Sequence, residues 1–145
     1  ALAMFRSGRK AEGYALLRML SPAVRSTDPQ LAERYGLEPY FIAADIYAAP
    51  GSEGRGGWCL YTGAAGWYYQ TVLTGLLGLQ LRNGGLIFSP NLPDDWMECR
   101  LSMELRNTSL EILVKQTGQP CLTVDGRPAT LIPLDGQAHQ AVVTF

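Results

Sequence analysis

The spacing of apolar residues changes once along this chain, near residue 80, and this change restricts the fold more than any other feature of the sequence. Before residue 80 the apolar side chains recur at helical spacing, whereas after it short apolar–polar alternations end in turn dipeptides. Helices followed by a block of strands indicate the α+β class. We therefore predict a helical domain over residues 1–80 and a strand-rich domain over residues 81–145.

Three helices are predicted in the first domain. An apolar stripe runs along Lys10–Leu20, and a Thr-Asp-Pro sequence starts a short helix over Pro29–Tyr35 that stops at Gly36. The third helix covers Thr62–Leu79 and keeps one face apolar or small for about four turns. Its small residues predict close approach to neighbouring helices.

Short strands separated by turns are predicted in the second domain. The alternation is clearest over Leu101–Leu105 and Ser109–Lys115, and Asp125-Gly126 is a two-residue hairpin signal. Further strands are expected at Leu86–Ser89 and Ala141–Phe145. Strands this short and this closely spaced favour a small antiparallel β-sandwich.

Composition argues against several classes of partner. Twelve basic and thirteen acidic residues give a formal charge of -1, so no electrostatic surface for nucleic acid or for a membrane is expected. No run reaches the ~20 apolar residues that span a bilayer. Cys59, Cys99 and Cys121 lack the spacing of metal ligands, and His139, in a polar turn, is expected to be an exposed loop histidine. These residues predict reduced thiols in a cytoplasmic protein rather than a zinc site.

The segment that is most informative about function runs from Gly54 to Trp67, where a glycine-rich loop leads into the Thr62-Gly63 helix start. The first backbone N–H groups of a helix are unpaired and lie at the positive end of its dipole, so this start suits an oxyanion such as phosphate. The Thr62 hydroxyl would add a further donor. The alternative is that Thr62 caps its helix and the glycines only permit close packing.

Aromatic side chains surround this helix start, and their flat apolar faces with polar edges suit sugar rings. Trp58 and Tyr61 adjoin the loop and are candidates for a substrate pocket. Trp67 and Tyr68 belong to the apolar stripe of the helix, which favours a place in the core.

Three carboxylates, on Glu38, Asp45 and Glu53, flank the loop, and paired carboxylates perform glycosyl chemistry. Spacing alone does not pair them, and Glu38 before a proline favours a helix start over catalysis. The sequence contains no nucleophile triad, nucleotide fingerprint or metal motif. We therefore assign no catalytic residue, metal ligand or cofactor within this chain.

Five segments of the chain form an ordered set: Arg34–Tyr47 (RYGLEPYFIAADIY), Gly54–Trp58 (GRGGW), Tyr61–Trp67 (YTGAAGW), Leu77–Leu79 (LGL) and Ser89–Trp96 (SPNLPDDW). Together they resemble successive motifs of the inverting glycoside phosphorylases of glycoside hydrolase family ninety-four. The match spans nearly the whole chain. The residues Ala43–Asp45 and Gly54–Trp58 are most similar to those of the cyclic β-1,2-glucan synthase branch.

The resemblance implies that residues 1–80 are the last helices of an (α/α)6 barrel and that a carboxyl-terminal β-sandwich follows. It also implies that Thr62 and Gly63 help to hold inorganic phosphate as the co-substrate. The general acid and a phosphate-contacting histidine of the family lie upstream of Ala1, so His139 is no substitute for them. Further candidate pocket residues are Asp45, Arg55, Trp58 and Tyr61.

In the cellobiose-specific members a glutamine near the sugar occupies the position of Ala44, and this departure favours a β-1,2-linked glucan as substrate. The leading hypothesis is that the full-length parent uses phosphate to release glucose 1-phosphate with inversion, while this chain alone is inactive. The alternatives are a noncatalytic carbohydrate-binding or structural module and a hydrolase on the same barrel. The parent, cytoplasmic or tethered to the inner membrane, would cover helix faces that otherwise favour self-association.

Overall fold

The computed structural model describes all residues from Ala1 to Phe145 and divides them into two compact units, Ala1–Leu73 and Thr74–Phe145. The helices are α1 (Leu2–Arg6), α2 (Lys10–Leu20), a 3₁₀ helix (Val24–Ser26), α3 (Pro29–Tyr35), α4 (Thr62–Gln70) and a π-helical continuation of α4 (Thr71–Leu76). The strands are β1 (Asp45–Ile46), β2 (Gly56–Gly57), β3 (Leu79–Arg82), β4 (Gly85–Phe88), β5 (Glu98–Leu105), β6 (Thr108–Lys115), β7 (Cys121–Val124), β8 (Arg127–Pro128), β9 (Ile132–Pro133) and β10 (Ala138–Thr144). The chain is therefore of the predicted α+β class, with helices before several mostly antiparallel sheets. None of the helices combines the length and the apolar character that crossing a membrane requires.

The core of the first unit contains Phe5, Leu17 and Tyr35, each of which is almost fully buried. Gly13 on α2 lies directly against the Phe5 ring, since a Cβ atom at this position would be only 2.9 Å from Phe5 Cδ1. The close approach of α1 to α2 therefore requires glycine at this point of α2.

Helix α3 has the predicted start and end. The Asp28 carboxylate accepts hydrogen bonds from the backbone N–H groups of Gln30 and Leu31, at 2.9 and 3.0 Å, and Pro29 occupies the first turn. Gly36 ends the helix in the left-handed conformation, with φ at 68°. Helix α2 likewise has its predicted bounds.

Helix α4 differs from its prediction at the carboxyl-terminal end. Its α-helical geometry ends at Gln70 and π-helical turns continue to Leu76, so Leu79 starts a strand instead of completing the helix. The buried Thr71 hydroxyl donates to the Trp67 carbonyl, at 2.7 Å, where the geometry changes. Because this bond competes with the backbone ladder of the helix, it accounts for the change of geometry.

The second unit contains a five-stranded sheet in the order β5-β6-β10-β7-β8 and a three-stranded sheet in the order β3-β4-β9. All strand pairs are antiparallel except β10 with β6, which run parallel along their whole length. This pair departs from the predicted antiparallel arrangement, because the last strand returns to lie beside β6 after a long connection. Strand β6 buries Leu110, Ile112 and Val114 on one face, as its alternation predicted.

The hairpins of this unit follow from local turn chemistry. Asp125 and Gly126 both have positive φ and join β7 to β8, which confirms the predicted two-residue turn. Strands β5 and β6 are joined by a turn at Arg106 and Asn107, which also both have positive φ.

His139 lies in strand β10 and not in an exposed loop, which corrects the sequence-based expectation. Its Nδ1 is 2.7 Å from Asp125 Oδ2, its Nε2 is 3.0 Å from Asp135 Oδ1, and only 11% of the side chain is exposed. The two carboxylates also accept the backbone N–H groups of Gln140 and Gln137, respectively. The imidazole therefore joins β10 to the β7–β8 turn and to the turn before β10, as a clasp of three side chains.

We expect this clasp to make stability depend on pH. The hydrogen bonds to Asp125 and Asp135 raise the pKa of His139 in the folded protein. The contribution of the imidazole to the free energy of unfolding is therefore complete below the ordinary pKa of about 6.5, and it is lost as the pH rises through the folded-state pKa. The pKa of Asp125 is lowered chiefly by the Gln140 N–H, and that of Asp135 chiefly by His139, so their contributions are lost in acid. The clasp should therefore stabilise most between about pH 4 and pH 6.5.

The substitution His139→Gln tests this expectation, because His139 is the only histidine of the chain. The free energy of unfolding, measured by denaturant titration, should fall from about pH 6 to about pH 9 in the unaltered protein, and the fall should be much smaller in the variant. If the free energy of unfolding changed with pH by the same amount in the two proteins, the clasp would not contribute to the pH dependence of stability.

Candidate functional site

Tyr35 anchors the segment that precedes the glycine-rich loop. Its side chain is fully buried, and its hydroxyl donates to the Phe41 carbonyl at 2.6 Å and accepts from the Ala43 N–H at 3.3 Å. Burial raises the pKa of this hydroxyl, which keeps it protonated and able to donate. The Phe41 N–H donates to the Glu38 carbonyl in a turn, and no helix begins at Glu38, contrary to the expectation from its Glu-Pro sequence.

Strand β2 consists of Gly56 and Gly57 and passes where no side chain fits. A Cβ atom on Gly56 would lie 2.6 Å from Leu37 Cδ1, and one on Gly57 would lie 2.7 Å from both Asp45 Oδ1 and the Tyr47 hydroxyl oxygen. Glycine at position 57 thus allows the Asp45 carboxylate and the Tyr47 hydroxyl to converge over the strand, and glycine at position 56 allows the Leu37 side chain to pack against it.

The residues after β2 turn sharply before α4 begins. Trp58 and Leu60 have positive φ, at 51° and 68°, a conformation that is unfavourable for residues with a Cβ atom. The rings of Trp58 and Tyr61 meet edge to face with their centroids 5.8 Å apart, and the two side chains are 64% and 56% exposed. This loop therefore presents two exposed aromatic side chains immediately before α4.

Helix α4 begins without a side-chain cap. Tyr61 is its N-cap residue and Thr62 its first helical residue, so Thr62 does not cap the helix as the alternative interpretation required. The Ala64 N–H donates to the Tyr61 carbonyl at 3.3 Å, whereas the N–H groups of Thr62 and Gly63 belong to the unpaired first turn. A Cβ atom on Gly63 would meet nothing within 4 Å, so packing in this chain does not require glycine here.

The outer face of α4 also differs from the prediction. No residue of α4 is buried, and Trp67 is 69% exposed, so its predicted place in the core is wrong for this chain. Tyr68 is half-buried, and its hydroxyl donates to the Leu17 carbonyl at 3.3 Å. The predicted close helix approach at Gly66 is not found either, since a Cβ atom there would also meet open space. The physical reason is that no other part of residues 1–73 covers this face of α4.

Two clefts with different linings lie in the first unit. A cleft of about 440 Å³ is lined by Arg34, Gly51, Ser52, Glu53 and Arg55. A smaller cleft of about 240 Å³ is mostly apolar, and its walls include Leu17, Ile42, Ala44, Ala64 and Trp67. The first turn of α4 thus borders the smaller cleft through Ala64, whereas Arg55 is among the residues that line the larger one.

The structure therefore places the predicted site residues in two groups. Asp45 pairs with Gly57, directly before Trp58, and the same stretch of chain leads to the α4 start, whereas Arg55 belongs to the larger cleft.

The sequence did not predict that Tyr47 and Arg34 lie beside these residues. The i, i+2 spacing of Asp45 and Tyr47 in an extended segment could have placed both on one face. Arg34 gives no comparable signal, because its contact with the loop is not local.

Comparison with protein families divides the chain into two consecutive parts. Residues 1–78 match the catalytic domain of the Glycosyl hydrolase 94 superfamily, and residues 79–140 match the Glycosyl hydrolase family 65 C-terminal domain.

Individual proteins that are similar in sequence agree with the match to the Glycosyl hydrolase 94 superfamily. The chain is 36% identical over 127 residues to a cyclic beta-(1,2)-glucan synthase of Rhizobium meliloti, and this match covers 86% of the chain but 4% of the relative. It is 28% identical to a cellobionic acid phosphorylase of Neurospora crassa and 28% identical to a 1,2-beta-oligoglucan phosphorylase of Listeria innocua, each over 77% of the chain. The chain spans 14% and 10% of the lengths of these two relatives.

Proposed function

Because this chain belongs to the glycosyl hydrolase 94 superfamily, we propose that the protein containing it cleaves β-glucosidic bonds with inorganic phosphate and releases glucose 1-phosphate with inversion. A phosphate oxygen attacks the anomeric carbon on the face opposite the leaving sugar, whose oxygen takes a proton from a carboxylic acid. We assign this acid to a part of the protein outside these 145 residues. The chain alone should then contact reactants without turning them over.

The observation that carries this proposal is the uncapped and uncrowded start of α4. A phosphate group placed there would accept hydrogen bonds from the N–H groups of Thr62 and Gly63 at the positive end of the helix dipole. The exposed Thr62 hydroxyl can donate a further bond, and the missing Cβ atom of Gly63 lets an oxyanion approach the backbone. Inorganic phosphate is the co-substrate in this scheme, and no cofactor is required.

The sugar would be held by groups just before this helix. The exposed rings of Trp58 and Tyr61 suit stacking against glucose units, and the Asp45 carboxylate can accept hydrogen bonds from sugar hydroxyls. One of the similar proteins is named as a synthase of a cyclic β-(1,2)-glucan and another as a phosphorylase of 1,2-β-oligoglucans, and Ala44 leaves the smaller cleft without a long polar side chain at that position. We therefore propose a β-1,2-linked glucan as the substrate.

The exposed aromatic pair also fits a second function, in which the chain is a noncatalytic carbohydrate-binding module. A hydrolase that uses water in place of phosphate is the third possibility. These functions differ in what phosphate does, and phosphate dependence therefore separates them.

The test is to incubate the full-length protein with β-1,2-linked gluco-oligosaccharides, with and without phosphate, and to identify the products by NMR. Release of α-glucose 1-phosphate that depends on phosphate would support the proposal, and cellobiose should react much more slowly. Free glucose in the absence of phosphate would indicate a hydrolase, and binding without any product would indicate a binding module. The isolated 145-residue chain is the control and should give no product.

A further inference from the structure

Strand β5 forms an open edge of the five-stranded sheet. All eight of its residues, Glu98–Leu105, pair with β6 in one continuous register, and β5 stands at the end of the strand order. No further backbone hydrogen bond joins these residues to another part of the chain. The strand contains neither a proline nor a bulge, which are common protections of a sheet edge. Its outer backbone groups can therefore pair with a further strand.

The contacts of β6 show which backbone groups of β5 face this edge. Ser109, the partner of Glu104, donates its N–H away from β5, to the carbonyl that precedes β10, at 3.1 Å. Lys115, the partner of Glu98, accepts from the Phe145 N–H on the same side, also at 3.1 Å. In an antiparallel ladder the backbone groups of such a pair point away from each other. The N–H and C=O groups of Glu98, Glu104 and the alternate residues between them therefore face the open edge.

The apolar face of the sheet is incompletely covered at β5. Leu101 and Met103 lie on this face and are half-buried, whereas Ile112 and Leu110, their partners in β6, are at most 2% exposed. The difference arises because β6 has a neighbouring strand on both sides and β5 has one on a single side. A further strand at the edge would bury the remaining apolar surface of Leu101 and Met103.

The opposite face of β5 has an alternation of charge that is complementary to itself. Its exposed residues are Glu98, Arg100, Ser102 and Glu104. If two copies of β5 run antiparallel about a twofold axis at Ser102, each Arg100 lies directly opposite Glu104 of the other copy. Symmetry produces this contact twice, so the arrangement contains two attractive charge pairs across the strands.

Other symmetric registers are less favourable. Only residues whose backbone groups face the edge can form the new ladder, and four axis positions, residues 100–103, then leave at least five residues of each strand paired. An axis at Arg100 places two arginines opposite each other, and an axis at Leu101 does the same for two glutamates. An axis at Met103 brings no opposite charges together within the strands. The charges therefore select the axis at Ser102.

We propose that β5 pairs with β5 of a second copy of this chain, antiparallel and with Ser102 at the twofold axis, so that two five-stranded sheets become one. The interface consists of a backbone ladder, two ion pairs between Arg100 and Glu104, and contacts between Leu101 and Met103 on the apolar face. A contact confined to two strands is small beside the roughly 1,600 Å² of a standard interface, so we expect reversible association that depends on concentration. This dimer does not rest on the phosphorolysis proposed above.

Disulfide trapping in the full-length protein tests this register, with Ser102→Cys as the probe. Residues directly opposite each other in such a ladder have Cα atoms about 5.5 Å apart, which is within the range of a disulfide. Ser109→Cys is the matched control, because it places the same exposed thiol one strand away from the edge, at least about 14 Å from its symmetry mate. Under mild oxidation we expect Ser102→Cys to form a covalent dimer about tenfold faster than Ser109→Cys or the unaltered protein.

Charge reversal is the second test, with the mass of the full-length protein measured by analytical ultracentrifugation over a concentration series. Arg100→Glu places like charges opposite each other twice, so the dissociation constant of the dimer should rise about tenfold. Adding Glu104→Arg restores opposite charges and should recover the association. Arg82→Glu changes the net charge equally on the exposed strand β3, and it should leave the dissociation constant within about twofold.

Faster trapping of Ser102→Cys, together with recovery by the double charge reversal, would support the dimer. If Ser102→Cys is trapped no faster than Ser109→Cys, or if Arg100→Glu behaves like Arg82→Glu, β5 does not join two copies in this register and the proposal is wrong. A full-length protein that stays monomeric at every concentration would equally overturn it. None of these outcomes depends on phosphate-dependent turnover, so the dimer and the proposed function are decided separately.

Discussion

Alanine in place of Gly78 is expected to unfold the beginning of the second unit. Gly78 has φ at 63°, and a Cβ atom on it would lie 1.8 Å from the Ser89 carbonyl oxygen and 2.3 Å from its carbonyl carbon. Both obstacles are backbone atoms, so no change of rotamer relieves the clash. The Ser89 N–H also donates to the Gly78 carbonyl at 2.9 Å, and relaxation would therefore break this bond.

The expected loss is large because several interactions depend on the same contact. Beyond Gly78 the pairing of β3 with β4 begins at Leu79 and Phe88, and the Asn91 N–H donates to the Leu76 carbonyl at 2.8 Å. We expect Gly78→Ala to cost at least about 3 kcal/mol of the free energy of unfolding, of which the left-handed conformation accounts for about 1 kcal/mol. Denaturant titration followed by circular dichroism measures the difference.

Gly84→Ala is the matched control for this experiment. Gly84 is also left-handed, with φ at 82°, but a Cβ atom on it would meet nothing within 4 Å. The Gly84→Ala variant should lose only the part of the free energy of unfolding that comes from the left-handed conformation, about 1 kcal/mol. Similar losses in the two variants would show that the contact of Gly78 with Ser89 does not constrain this part of the fold.

Local signals explain which parts of the fold could be predicted from the sequence. The Asp28 cap, Pro29 and the left-handed Gly36 fix α3 within a few residues, and Asp125-Gly126 fixes its hairpin in the same way. In each case the residues that carry the signal also make the deciding hydrogen bonds or adopt the special φ. Sequence reading succeeds here because no distant part of the chain takes part.

The features that were missed depend on partners far away along the chain. The parallel pairing of β10 with β6 brings together strands that three others separate along the chain, and no local pattern specifies it. The contact of His139 with Asp125 follows from the pairing of β10 with β7, which is equally non-local, whereas the polar residues around His139 in the sequence indicate only a turn. Trp67 shows the opposite error, because an apolar stripe indicates which face can be buried but not whether a partner covers it.

The candidate site was only partly predictable for the same reason. The glycine-rich run and the Thr-Gly helix start are visible in the sequence, and the structure places them in succession with strained Trp58 and Leu60 between. The convergence of Asp45 and Tyr47 over Gly57 and the contact of Arg34 with Gly54 require the folded chain. The sequence thus indicated the chemistry of the site, and the fold determines which side chains share a cleft.

Valine in place of Thr62 is expected to raise the Michaelis constant for phosphate in the full-length protein and to slow turnover. The substitution keeps the shape of the side chain but removes one hydroxyl that would donate to an ionised ligand, a contact worth roughly 1.5 to 3 kcal/mol. Affinity or rate should therefore fall by about one to two decades. The Michaelis constant for the neutral glucan should change much less, and initial rates over a phosphate series measure both.

Stability should hardly change in this variant, because Tyr61 and not Thr62 is the N-cap residue and no side chain caps the helix. Thr71→Val is the matched control in the same helical segment. The buried Thr71 hydroxyl donates to the Trp67 carbonyl at 2.7 Å, so its loss should lower the melting temperature and leave the phosphate dependence unaltered. Unchanged phosphate kinetics in Thr62→Val, together with a melting temperature lowered as in Thr71→Val, would make the Thr62 hydroxyl a structural group and reject its proposed contact with phosphate.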